Sequence, residues 1–319
     1  MKEKPILLID GLNLFMRHFV VNPTMSESGD HVGGLVGFLK GVRLLCERIQ
    51  PKHVVIAWEG GGSARRRAIF PAYKQGRRPQ RLNRFYADEI PDTVENRDVQ
   101  LKLLIECLKQ VPINQIYVSD CEADDVIAYL SKYTYNKERC VIASSDKDLY
   151  QLLNESVIQW SPGQKAFINK DDVKKKFGVS CHNFCVTRCF TGDSSDGLPG
   201  VKGAGFKTMS KRFPSLSSEE EVSVDDIIAS AKEMSTKSKV KVYSNIVEDA
   251  DQVRTNWKIM NLGTACLSAS QIKKITGGVD TFGPTRNKIA LMRILLREGI
   301  LNFDVDSFFM SMCTVKHQE

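Results

Sequence analysis

Four short apolar runs, at residues 4–9, 53–58, 113–118 and 140–144, each end at or shortly before carboxylates. Those carboxylates are Asp10, Glu59, Glu122 with Asp124 and Asp125, and Asp146 with Asp148. Runs of this length read as buried strands. Between the first two, residues 33–49 place Leu35, Phe38, Leu39, Val42, Leu45, Cys46 and Ile49 at helical spacing. Residues 99–108 resume that spacing, and 122–130 read as a helix that begins with acids. Strands alternating with helices predict an α/β fold with a mostly parallel central sheet flanked by helices, its ligand site at the carboxyl ends of the strands. The acids lie at those ends. Short strands are expected at 157–159 and 166–168. Beyond about residue 180 only helical segments remain, at 181–190, 207–213, 224–234, 240–262 and 285–295. The expected organisation is an α/β domain over 1–180 and a helical domain over 181–319, in keeping with roughly 150 residues per domain. The Ser- and Glu-rich stretch 215–223 is the expected mobile connection.

Asp10, Glu59, Glu122, Asp124, Asp125, Asp146, Asp148 and the later Asp193 and Asp196 make nine acids beside strand ends or turns. A capping box explains Glu122 taken alone, since Ser119 stands three residues before it. It does not explain the set, because five segments would bring carboxylates to one edge, where their repulsion is costly without cations. Hard oxygen donors, with no suitable His or Cys nearby, favour Mg2+ or Mn2+ over zinc. Two such ions would stabilise both the attacking and the leaving oxygen in phosphodiester hydrolysis. On a helix Glu122 and Asp125 share a face, with Asp124 displaced toward a second ion. Asp146 and Asp148, two apart in an extended segment, would point to one side.

Lys and Arg number 45 against 38 Asp and Glu, a formal charge of +7. That is modest, but the charges are segregated: Arg65, Arg66, Arg67, Lys74, Arg77, Arg78, Arg81 and Arg84 fall in one stretch without an acid. With no apolar stripe to tie it down, that stretch is expected to be mobile without a nucleic acid. Hydrophobic residues at 42% and charged residues at 26% exclude disordered or collagen-like chains. Nine cysteines at irregular spacing, after an N-terminal apolar run too short for a leader or a membrane span, predict reduced thiols in the cytoplasm. Residues 200–208 lack the glycine that a P-loop needs before its lysine, Phe206 standing there instead. Cys181, Cys185 and Cys189, spaced along two helical turns, suit core packing better than a zinc tetrahedron. The five histidines have no evident triad partners.

Ile9-Asp10-Gly11, Tyr73-Lys74, Glu122-Ala-Asp-Asp125, Ser145-Asp-Lys-Asp148 and the run from Gly192 to Gly205 together resemble the 5′-nuclease (flap endonuclease) family. This family includes the 5′-to-3′ exonuclease domain of bacterial DNA polymerase I and the phage 5′-nucleases. Trp160-Ser161-Pro162 and the helical tail look like the phage T4 ribonuclease H branch, which suggests a phage source and a host-cell cytoplasm. The resemblance implies a PIN-like fold with a helix-hairpin-helix at about 186–213 and a helical arch at about 62–95. It implies one metal site drawing on Asp10, Glu59, Glu122 and Asp124, and a second drawing on Asp125, Asp146, Asp148, Asp193 and Asp196, partly through water. Glu59 stands where the family usually carries aspartate. Arg66 and Lys74 align with the family's scissile-phosphate cations, and Tyr73 is placed to stack on a terminal base. Arg77, Arg78, Arg81 and Arg84 would line the arch, and Arg188 aligns with a DNA-contacting lysine. In the hairpin, Gly203 and Gly205 let backbone amides approach a phosphate while Lys202, Lys207, Lys211 and Arg212 add charge. K+ held by hairpin carbonyls is a further candidate.

The expected activity is that of a two-metal 5′-to-3′ exonuclease and flap endonuclease with ribonuclease H activity, acting as a monomer on flapped, nicked or RNA-primed DNA in replication or repair. Candidate protein partners are a single-strand-binding protein, a sliding clamp and a polymerase; no membrane is involved. The competing readings are an inactive structure-specific DNA-binding protein and a PIN-type ribonuclease, which would lack the hairpin.

Overall fold

The computed structural model describes residues 4–76 and 94–315. The arch residues Arg77, Arg78, Arg81 and Arg84 lie outside them. Six strands form one sheet in the order β3-β2-β1-β4-β5-β6. They are β1 (Ile6–Asp10), β2 (His53–Trp58), β3 (Asn114–Tyr117), β4 (Cys140–Ala143), β5 (Val157–Ser161) and β6 (Ala166–Ile168). All neighbours pair in parallel except β5 with β6. Register puts Asp10 opposite Ala57, so the acidic ends of β1 and β2 emerge together.

The helices of the first half are α1 (Gly11–Val21), α2 (Gly33–Ile49), α3 (Ala64–Ile69), α4 (Val94–Leu108), α5 (Ala123–Tyr129) and α6 (Lys170–Phe177). Those of the second are α7 (Phe184–Thr191), α8 (Phe206–Arg212), α9 (Val224–Lys237), α10 (Lys241–Glu248), α11 (Ala250–Met260), α12 (Ala269–Asp280), α13 (Lys288–Arg297) and α14 (Val305–Cys313). Side chains of β1 alternate between two cores, as the period of a strand requires. Leu7 and Ile9 join Phe15, Phe38, Leu39 and Leu104 on one face, and Ile6 and Leu8 join Val126, Ile142 and Phe184 on the other. Burial on both faces explains why the strands read as continuous apolar runs. The last two helices return across the molecule: Leu291, Leu295, Phe308 and Met312 pack in the same core as α2 and α4.

The stretch 215–223, expected to be mobile, is clamped. Asn183, fully buried, donates its amide to the carbonyls of Ser215, Ser218 and Glu220 and accepts from the Val222 amide. The single helix expected over 240–262 is broken at Asp249 into α10 and α11. Among the described residues no helix is long and apolar enough to cross a membrane.

Candidate active site

Asp10 has two tasks. It ends β1 and caps α1, accepting from the Asn13 amide at 3.1 Å. Its other oxygen accepts from Ser144 Oγ at 3.0 Å, and Ser144 Oγ also accepts from the Asp146 amide at 3.0 Å, so one hydroxyl links the ends of β1 and β4. Gln159 on β5 donates to the carbonyls of Ser144 and Asp146, both at 2.8 Å, and holds the same turn from the other side. Asp146 and Asp148 do not lie in extended chain. Asp146 Oδ1 accepts from the Asp148 amide at 2.8 Å, and a 3-10 turn begins at Asp148.

Glu59 is brought against the start of α5 by Gly60, whose amide donates to the Cys121 carbonyl at 2.9 Å. A β-carbon at Gly60 would lie 1.7 Å from the Val118 carbonyl oxygen, so no other residue fits the junction. Glu59 Oε2 accepts from the Ala123 amide at 3.3 Å. Glu122 is the N-cap of α5 but makes no capping bond, so the capping-box reading with Ser119 is replaced by a different one. Its Oε2 receives Arg66 at 3.1 Å, Lys74 at 2.8 Å and the Tyr73 hydroxyl at 3.1 Å. Its Oε1 is buried without a partner.

Two adjoining spaces gather these acids. A cleft of about 550 Å³ is lined by Asp10, Glu59, Asp124 and Asp146 on one side and by Leu12, Met16, Val20 and Val21 of α1 on another. Beside it a niche of about 20 Å³ is walled by Glu122, Asp124, Asp146, Asp148 and Asp196. Asp124, Asp146 and Lys74 border both. Asp193 is tied in through Arg188, which donates to Asp148 Oδ1 at 2.9 Å and to Asp193 Oδ2. The loop bearing Asp193 and Asp196 doubles back tightly at Gly192, where φ is +72° and a β-carbon would lie 2.4 Å from the Gly200 nitrogen.

Crowding leaves a clear electrostatic mark. Burial pushes the Asp10 carboxyl up to about 7, with Asp146 and Glu59 adding to it. Burial pushes Asp148 up to about 6, against the pull of Arg188. Asp124 is raised by burial and by Asp146 and Asp10, and Glu59 by burial and by Glu122. Glu122 goes the other way: burial would raise it, but Arg66 and Lys74 hold it below the usual range. Acids that resist ionisation together are the setting in which a hard cation gains most. Among the described residues no group of three or more His, Cys, Asp or Glu side chains is already arranged so that it could hold a metal ion. The all-oxygen donors around an ion-sized niche, with the orphaned Glu122 Oε1, fit divalent cations.

Four of the expected site residues make other contacts in this geometry. Arg66 is 2% exposed, with both terminal nitrogens on Asp125 and its Nε on the Ile259 carbonyl, so its charge faces carboxylates and not a phosphate. Asp125 is correspondingly turned from the niche toward Arg66. Tyr73, 6% exposed with its hydroxyl on Glu122, presents no open face for a base. Arg188, expected to contact DNA, bridges two acids instead. Lys202, Gly203, Gly205, Lys207 and Lys211 are all exposed on the turn between α7 and α8 and on α8 itself. Reasoning from sequence missed Ser144, Gln159 and Asn13; each is polar, close to a strand end and buried or half-buried, which is the one signal they offered.

Residues 5–178 match the family model for the 5′-3′ exonuclease N-terminal resolvase-like domain. The chain is 31% identical over 263 residues to the flap endonuclease Xni of Shewanella halifaxensis, covering 81% of this chain and 92% of that one. It is 31% identical over 207 residues to a 5′-3′ exonuclease of Aquifex aeolicus, covering 64% and 67%. Among solved structures it is similar to the bacteriophage T5 flap endonuclease in a pseudo-enzyme–product complex with DNA and metal ions, with a TM-score of 0.66 and 20% identity over 92% of this chain and 98% of that one. The catalytic core of Rad2 in complex with DNA substrate is similar at a TM-score of 0.57 and 14% identity, covering 99% and 93%. The chain belongs to the 5′-3′ exonuclease family of nucleases, the family that includes the flap endonucleases.

Proposed function

We propose that this chain is a divalent-metal-dependent, structure-specific 5′-nuclease that cleaves phosphodiesters near the 5′ end of flapped, nicked or RNA-primed DNA. It acts as both 5′-to-3′ exonuclease and flap endonuclease, with ribonuclease H activity on primers, in replication or repair. The observation that carries this reading is the pair of adjoining spaces walled by seven carboxylates, with Asp124, Asp146 and Lys74 common to both. Asp10, Glu59, Asp124 and Asp146 would hold one ion, and Asp124, Asp146, Asp148, Asp196 and Glu122 Oε1 the other. The chemistry that two Mg2+ or Mn2+ ions held there would supply is a lowered pKa for a water and neutralisation of charge on the phosphoryl oxygens.

The chain's own residues do the rest. Lys74 borders both spaces and brings a positive charge to the scissile phosphate. Ser144 and Gln159 fix the turn that carries Asp146, so the carboxylates need little rearrangement. The 1–180 region supplies most of the chemistry, joined by Asp196. The 181–319 region grips the duplex through a helix-hairpin-helix, with Lys202, Lys207 and Lys211 on phosphates and K+ as the candidate hairpin ion. The exposed hairpin lysines favour this over a PIN-type ribonuclease.

The reading is tested by incubating the protein with end-labelled flap, nicked and RNA-primed duplexes, with and without Mg2+. Short 5′-derived products that require Mg2+ are expected. Products that form equally well with a chelator present would refute it.

A further inference from the structure

The geometry points to Asn256 of α11 as a positioning residue for the acidic site, a reading that rests on the nuclease function proposed above. Asn256 is fully buried, and its amide nitrogen donates to the carbonyls of Cys189 and Pro199, each at 2.8 Å. Its oxygen accepts from Gln252 at 2.9 Å, which fixes which way the amide faces. Cys189 lies in the last turn of α7, where carbonyls lack helical partners. The amide four residues on, that of Asp193, donates to the Leu198 carbonyl instead. One side chain therefore ties together both ends of the loop that carries Asp193 and Asp196.

The far end of α11 holds the groups that position Asp125, Glu122 and Asp148. The Ile259 carbonyl accepts from Arg66, which grips Asp125 and Glu122. Gln151 donates to the Met260 carbonyl at 3.1 Å and to the Asp148 carbonyl at 2.8 Å, and accepts from the Leu262 amide at 3.0 Å. Asn256 and Met260 are one helical turn apart. A single turn of a rigid helix thus joins the Arg188 bridge in setting the separation between the Asp193–Asp196 loop and the segment bearing Asp148. Asn256 has no access to a substrate; it acts through the carboxylates it places.

The test is a calorimetric titration of Mn2+ into the full-length, metal-free protein without DNA, with flap cleavage followed as a function of Mn2+ in parallel. Asn256→Ala is expected to weaken binding of the weaker ion about tenfold. It should raise the half-saturating Mn2+ for cleavage by the same factor, with activity recovering at high metal. Asn183 is an equally buried amide that clamps the 215–222 segment, and Asn183→Ala is expected to lose thermal stability similarly and to keep wild-type Mn2+ affinity. A folded Asn256→Ala protein with unchanged Mn2+ affinity would overturn the assignment, as would an equal weakening in Asn183→Ala. Should Asn256→Ala fail to fold, Gln252→Leu removes only the bond that orients the amide. It is expected to shift the titration in the same direction by less, and no shift overturns the assignment. Wild-type protein that binds no Mn2+ would overturn the nuclease reading itself.

Discussion

The Arg66 guanidinium faces the Asp125 carboxylate in a two-point pair, Nη1 to Oδ2 at 2.6 Å and Nη2 to Oδ1 at 2.7 Å. Both side chains are almost wholly buried, and Arg66 Nη1 also reaches Glu122. The pair fastens α3 to the start of α5 beneath the acidic niche. Removing one partner leaves an uncompensated buried charge, which costs about 3–5 kcal/mol. Arg66→Leu is therefore expected to lower the unfolding free energy by that order in chemical denaturation, and Arg66→Lys to recover little, since an ammonium cannot make the two-point pair. The double variant Arg66→Leu with Asp125→Leu should be more stable than Arg66→Leu alone. An Arg66→Leu protein of wild-type stability would remove this role.

Ser144 joins two acids through one hydroxyl. Ser144→Ala leaves the buried Asp10 oxygen and the Asp146 amide without that partner. A loss of about 1 kcal/mol in stability is expected, with cleavage slowed roughly tenfold or more because the turn bearing Asp146 is less well held. Single-turnover rates at saturating Mg2+ measure the second effect; an unchanged rate would show that the bridge does not matter to the chemistry.

Helices α1 and α2 approach closely because Gly37 and Gly41 face His18. A β-carbon at Gly37 would lie 2.7 Å from His18 Cβ. Gly37→Ala is expected to destabilise by about 1–3 kcal/mol through overpacking, although alanine is the better helix former. Urea unfolding of the variant measures this directly, and a stabilised protein would contradict it.

The same histidine makes stability fall in acid. Burial, with Arg17 adding, pulls His18 down to about 4, and His31 is also lowered by burial. A free histidine titrates at about 6.5. Between those values His18 binds more protons unfolded than native, so its contribution to stability rises with pH and is lost as pH falls from about 6.5 toward 4; in the metal-free protein the raised carboxyls of Asp10 and Asp148 act in the opposite sense. His18→Gln is expected to flatten this acid limb in unfolding curves measured across that window. An acid limb as steep as the wild type's would exclude His18 as its cause.

Much of the sheet was legible because its strands are apolar on both faces, and α2 because its stripe runs unbroken from Leu35 to Ile49. Helix α1 was not, since Asp10-Gly11 looks like a turn; Asp10 is in fact strand end and helix cap at once. Helix α12, with Gly277 and Gly278 in its last turn, gives a weak signal that is settled by packing on β3, where the Asn114 amide donates to the Gly278 carbonyl. The acids of the site were legible as a group because each sits beside a strand end or turn. Their partners were not: that Arg66 points inward to Asp125, or that Asn183 reaches across to hold 215–222, depends on contacts far apart in the chain. Spacing along a sequence does not encode such contacts.

The measurement closest to the centre of the account is the rate of Mg2+-dependent cleavage of a 5′-flap duplex by Asp146→Asn, compared with the wild type. Asp146 borders both the cleft and the niche, so neutralising it strikes both ion positions together. The account predicts a folded protein whose cleavage is slowed at least about a hundredfold. An Asp146→Asn enzyme that cleaves as fast as the wild type at the same Mg2+ concentration would contradict it.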